Sequence, residues 1–279
     1  GYSDDGAPTL LAAALEHLKA AGHFSIAVFF HELHASGMPW TSAFWHGQRQ
    51  KNAYRRIART CDLPVTSARA FAKWLDQQIA TPVQCMPIFS QVGEREQLVP
   101  FADRDPAMAV FGLADTRRRV YAEIDKLGDT LTRLGVREIV DIGPQIEPPR
   151  QVNGIPVQRA GTLAAAEIDR LFAKMAFGYL AYPPNCLAKS GVFAAYTAHG
   201  MIPIIAQDFH EEFDGLRNGL HVLSPRTARQ MEPEELKDCS QAAWRWYSGH
   251  TLRDHAAIYN RWLRPSGQSL PQNAVRQHA

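Results

Sequence analysis

The chain has 279 residues, 46% hydrophobic and 21% charged, with a formal net charge of +2; this buries a sizeable core in one large or two small domains and argues against nucleic acid as a partner. Four cysteines, Cys61, Cys85, Cys186 and Cys239, lie far apart with no C-x-x-C pair, which argues against a zinc ribbon or disulfide framework and points to a reducing, cytoplasmic compartment. No apolar run approaches the ~20 residues that span a bilayer, although a peripheral membrane contact stays open.

The chain begins GYSDDGAP without an initiator methionine, and the expectation is that a preceding portion of its first domain is absent. Pro8 suits a first helical turn, and Leu10, Leu11, Ala14, Leu15 and Leu18 follow at helical spacing up to Gly22. Residues 24–30 read as a buried strand, 48–59 as a helix with a wet face, and 63–67 as a strand whose Ser67 caps a helix over 68–79. A strand over 83–89 leads into the charged stretch 91–106, the expected domain boundary. The pattern then restarts, with strands at 107–112, 138–142, 155–159, 177–182, 201–206 and 221–223. Helices are expected at 116–134, 163–174, 192–199 and 234–263. Strands alternating with helices imply parallel sheets covered on both faces. The division expected is a first lobe over 1–97, a second lobe over 98–264 and a polar tail over 265–279.

The segment LAKSGVFAAYTAHGMIPII, residues 187–205, carries the clearest chemical signal. It follows a buried strand closed by Pro183 and Pro184, and its helix stops at Gly200. The unpaired N–H groups at the start of that helix, with Lys189, Ser190 and Gly191, form a site for a phosphate. Arginines 117, 118 and 119 follow Gly112 and Thr116 at another strand end, the edge where open α/β sheets bind ligands, and arginine there can clamp a phosphate at two points. In the first half, His31-Glu32-Leu33-His34 leaves a buried strand directly. Its second histidine is one position short of the H-E-x-x-H zinc motif, so His31 and Glu32 are candidates for hydroxyl binding or proton transfer. The aromatic run Pro39 to His46 could stack on a sugar ring or plug the sheet top.

In the order HELHASGMPWTSAFW, VTSARAFAKWL, VFGLADTRRRVY and AKSGVFAAYTAHGMIPII, the chain resembles bacterial GT-B glycosyltransferases of the retaining, glycogen-synthase-like kind. The resemblance implies two Rossmann-like lobes with parallel sheets, the N-terminal one incomplete, and transfer of a sugar from a nucleoside-diphosphate donor to a glycan, lipid or small-molecule acceptor. It places Gly112, Thr116 and chiefly Arg117 near the donor diphosphate, Lys189, Ser190 and Gly191 at the donor sugar and phosphates, and His31 near the transferred sugar. It implies no cofactor and no metal beyond the nucleotide-sugar co-substrate, and leaves the acceptor and the oligomeric state unassigned. Two glutamates of the family are missing, since their places fall on Leu187 and Ala195. Alternatives are a nucleotide-sugar epimerase or hydrolase using His199 and Asp208, and a degenerate lobe pair serving as a binding or assembly module.

Overall fold

The computed structural model describes residues 7–22, 24–33 and 42–264, with side chains from 47 onward in the last stretch. His34, the aromatic run 39–46 as side chains, and the tail 265–279 lie outside the described residues. Strands β1 (Ala27–Phe30), β2 (Leu63–Thr66) and β3 (Gln84–Cys85) form a parallel sheet in the order β1-β2-β3. Helices α1 (Thr9–Ala20), α2 (Ser42–Thr60) and α3 (Arg69–Asp76) accompany it. Ala12, Ile26, Phe30, Ile57 and Leu75 make its core, and Arg56 joins α2 to α1 through both oxygens of Glu16, at 2.8 and 2.6 Å. The expected strand over 83–89 shrinks to β3. Ser67 does not cap α3: its hydroxyl has no partner among the described residues, and Ala68 holds the N-cap position.

The second sheet runs β6-β7-β5-β4-β8-β9. Its members are β4 (Asp105–Phe111), β5 (Glu138–Ile142), β6 (Gln151–Val152), β7 (Ile155–Gly161), β8 (Met175–Tyr179) and β9 (Ile202–Ile204). All pairings are parallel except β6 with β7. That hairpin was not expected, although Asn153-Gly154, with φ of 51° and 81°, is a strong short-range hairpin signal. The chain leaves β4 for β5 and β7 on one side, then returns to β8 and β9 on the other, so the strand order reverses at β4. Its side chains alternate, Met108 and Val110 toward one apolar cluster and Ala107 and Ala109 toward the other, as a sheet covered on both faces requires.

The helix expected over 116–134 is broken into α4 (Ala114–Glu123), a 3-10 turn (Ile124–Leu127) and α5 (Thr130–Arg133). Gly128, at φ 54° and ψ −127°, ends the turn in a conformation that disfavours side-chain-bearing residues. Beyond β7 come α6 (Ala165–Phe172), α7 (Gly191–Ala198), α8 (Pro225–Ala228), α9 (Pro233–Tyr247) and α10 (Leu252–Leu263). The strand expected at 221–223 is reduced to isolated bridges, Leu223 to Ile204 and Val222 to Asn218. Tyr196 of α7 bolts that helix to the sheet: its hydroxyl accepts from the Phe111 N–H at 3.1 Å and lies 3.1 Å from the Ala109 carbonyl oxygen. Gly178 in β8 makes room for the ring, since a Cβ there would stand 2.5 Å from it.

Two chain segments join the lobes. In the first, the Ile88 N–H donates to Ala188 O at 2.9 Å, and Arg95 pairs with Asp169 of α6 at 2.6 Å. The second is the break between α9 and α10, closed by a capping box of Thr251 and Asp254. Helix α10, expected to belong wholly to the second lobe, leans back on the first: His255 is 2.8 Å from Pro87 O, and its ring meets Phe89 at 4.9 Å and Phe29 at 6.4 Å. No helix among the described residues is long and apolar enough to cross a membrane.

Candidate functional site

A cleft of about 580 Å³ lies at the carboxyl ends of β4, β5, β7 and β8, beside the reversal at β4, the position where open α/β sheets take ligands. The structure brings His31, Gly112, Thr116, Lys189, Ser190 and Gly191 into its lining. Much of the rest is apolar, including Ile88, Val92, Leu163, Ile168 and Leu180. Such a pocket, apolar with few polar groups, is the usual form of a small-molecule site.

The second-lobe floor is backbone held in tight turns. Gly112 leaves β4 at φ 127°, its N–H donating to Ile142 O at 3.2 Å, and Gly143 leaves β5 at φ 143°. A Cβ on Gly143 would run into the carbonyl oxygen of Gly112 and stand 2.8 Å from Arg117 Nε. Gly143→Ala is therefore expected to cost about 2 kcal/mol from overpacking and an unfavourable φ. A urea midpoint unchanged from the parent chain would show that the turn yields more easily than this contact implies.

Arg117 is the main correction to the expected site. It is fully buried and is not among the residues lining the cleft. Its Nε donates to Gly112 O at 3.0 Å, while its two terminal nitrogens bond the Asp141 carboxylate and Pro144 O. Tyr121 donates to the other Asp141 oxygen at 2.9 Å, and burial pushes its phenol well above the usual range, helped by that carboxylate. The guanidinium thus ties the turn after β4 to the turn after β5, with each of its three nitrogens engaged inside the protein and none of it lining the cleft. Arg118 pairs with exposed Asp115 at 2.6 Å. Arg119 is exposed, and its charge acts on Tyr182, a residue of the cleft wall.

At the opposite wall α7 begins as expected. Ser190 accepts from the Phe193 N–H at 3.2 Å, which occupies its hydroxyl as a cap. The N–H groups of Gly191 and Val192 find no acceptor among the described residues, and a Cβ on Gly191 would meet nothing within 4 Å, so the helix start is open. Lys189 is 8% exposed and its ammonium is already engaged: Nζ donates to Glu32 Oε1 at 2.6 Å and lies 5.5 Å from the centre of the Phe71 ring. Burial pulls the ammonium down, but the hydrogen bond and charge of Glu32 outweigh it and hold the lysine above its ordinary range. Glu32 therefore stands as the cross-lobe partner of Lys189, a pairing that no sequence signal announced. His31 reaches the cleft itself, its ring 6.3 Å from that of Phe29.

The places of the missing glutamates are apolar in their surroundings too. Ala195 lines the cleft and Leu187 is buried in the second-lobe core. Neither candidate of the epimerase or hydrolase alternative lines the cleft. His199 is fully buried, 2.7 Å from Ala195 O and 3.0 Å from Asp169. Asp208 accepts from Asn218 at 2.7 Å and Ser224 at 2.8 Å in a loop network.

No protein-family profile and no curated sequence matches the chain. Solved structures do match its fold. An α-glucosyltransferase in complex with UDP-glucose and DNA containing an abasic site superposes with a TM-score of 0.52 at 13% identity, over 90% of this chain and 74% of that one. A GtfA/B complex gives 0.57 at 12%, over 89% and 54%. A protein described as a putative UDP-N-acetylglucosamine 2-epimerase from Listeria monocytogenes gives 0.52 at 12%, over 91% and 78%. The chain has the GT-B fold, an α/β architecture of Rossmann-like lobes with parallel sheets. The same comparison corrects the exclusion of nucleic acid: a protein of this fold is solved with DNA, and a small net charge over a whole chain says nothing about a local groove.

Proposed function

We propose that the cleft binds a nucleoside-diphosphate sugar and that the chain transfers the sugar to an acceptor hydroxyl. The observation that carries this reading is the open start of α7, with Gly191 and Val192 N–H groups unbonded beside Lys189, across one cleft from His31. A leaving diphosphate gains negative charge as the anomeric C–O bond breaks, and unpaired N–H groups with an ammonium stabilise that charge in a partly apolar site. The departing diphosphate oxygen keeps the bonding electrons, and the acceptor oxygen forms the new bond and gives its proton to that diphosphate. Arriving phosphate competes with Glu32 for Lys189. Arg119, exposed on α4 and near enough for its charge to act on Tyr182 of the cleft wall, is the arginine assigned to a second phosphate contact.

UDP is the first ligand to test, since UDP-glucose occupies the α-glucosyltransferase of the same fold. Calorimetric titration with UDP is expected to show binding that Lys189→Ala weakens by about 1.5–3 kcal/mol, the scale of a hydrogen bond to a charged group. Absence of binding by UDP, GDP, ADP and TDP alike would end the donor-site reading. A second reading, a module that binds without transferring, is favoured by apolar Ala195 on the cleft wall. UDP binding with no release of glucose from UDP-glucose in the presence of diverse acceptors would select it.

A further inference from the structure

Lys189 of the second lobe is held from the first lobe by two groups. Glu32 Oε1 accepts from its Nζ at 2.6 Å, and the Phe71 ring of α3 lies 5.5 Å from the same nitrogen. The two members of the ion pair differ in their surroundings: the Lys189 side chain is 9% exposed and that of Glu32 59%. No second hydrogen bond holds the carboxylate among the described residues. The lysine cannot leave without losing its packing, whereas the carboxylate can turn into water at little cost in desolvation.

Lys189 lines the cleft and Glu32 does not. A carboxylate 2.6 Å from an ammonium still cancels most of its charge at the longer distance of a ligand in the cleft. The N–H groups at the start of α7 then carry more of the attraction for an anion. A separate tie joins the same lobes: the Asp214 carboxylate accepts from the N–H of Arg69, the first residue of α3, at 2.6 Å. Neither Arg69 nor Asp214 lines the cleft.

On the donor-site reading above, we propose that Glu32 is an internal counter-anion of the cleft, an autoinhibitory contact that mutes Lys189 until a phosphate group takes the ammonium. The displaced carboxylate swings into solvent, and one tie between the lobes opens in the same step. Loosening of the lobes is thereby coupled to the charge of the ligand, and Glu32 lowers the affinity of the site that its own contact helps to hold closed.

The test is calorimetric titration of the whole chain with UDP, in the parent, Glu32→Gln, Asp214→Ala, Lys189→Ala and the Glu32→Gln/Lys189→Ala double variant. Glu32→Gln is expected to bind UDP about fivefold more tightly or better, since one negative charge leaves the surroundings of the site. Asp214→Ala cuts a tie between the lobes without freeing Lys189, and is expected to match the parent within about twofold. Without Lys189, the change at Glu32 is expected to lose most of its effect, because the two side chains act as one pair. UDP bound equally or more weakly by Glu32→Gln, a gain that Asp214→Ala reproduces, or a gain that persists without Lys189 would each overturn the proposal and leave the donor site standing. UDP bound by none of these chains would remove the donor site and the proposal together. If the Lys189 variants do not fold, Glu32→Gln and Asp214→Ala still decide.

Discussion

Arg117→Ala is expected to lower the unfolding free energy by about 3–5 kcal/mol, because it leaves the Asp141 carboxylate buried without its cation. Gly112 O and Pro144 O lose their donor in the same step, so the turns after β4 and β5 are released together. Removing both charges should cost less than the sum of the single changes, since Asp141→Asn on its own strands the guanidinium. Urea unfolding of the two single variants and the double variant measures this. A loss below about 1 kcal/mol for Arg117→Ala, together with weaker UDP binding, would return Arg117 to the role of phosphate clamp.

Acid should destabilise the chain through His250. This imidazole is 4% exposed, packs against Trp246 at 4.4 Å and Tyr247 at 5.1 Å, and leaves Nε2 without a partner among the described residues. Burial, reinforced by the nearby charge of His255 and opposed by Asp254, lowers it to about 4. The unfolded chain takes up a proton at this residue below about pH 6.5, whereas the folded chain does so only near 4. Stability from this group is therefore complete above pH 6.5 and falls as pH drops toward 4, by about 3 kcal/mol in all. His255, lowered by burial in the same region, adds to the same slope. Denaturant midpoints between pH 7.5 and 4.5 should fall steadily for the parent chain and less steeply for His250→Leu. Parallel slopes would exclude His250 as the source. His250 sits where α9 ends and the chain crosses back to the first lobe, so acid should loosen the joint between lobes.

The alternation of strands and helices was legible because proline, glycine and apolar runs mark where backbone changes direction, as at Pro183, Pro184 and Gly200. The start of α7 was legible for the same reason: a serine cap and small residues announce a helix without reference to anything distant. The role of Arg117 was obscured by its position next to two other arginines. Arg117, Val120, Tyr121 and Ile124 fall at helical spacing, and that stripe places Arg117 on the buried face of α4 while Arg118 and Arg119 point outward. The pairing of Lys189 with Glu32 spans 157 positions, and a local pattern cannot name a partner so far away.

Tyr196 touches the backbone of Phe111 and Ala109 through one hydroxyl, and Gly178 admits its ring to the sheet. The half of the cleft built on α7 and β4 is thereby a fixed plate, and any change in cleft width has to come from the first lobe sliding against it. The contacts such sliding must strain include Glu32 on Lys189, the Ile88 hydrogen bond to Ala188 and the Arg69 N–H on the Asp214 carboxylate. A redesign of the cleft for a differently shaped ligand can accordingly leave 187–205 untouched and work on the first-lobe rim around His31.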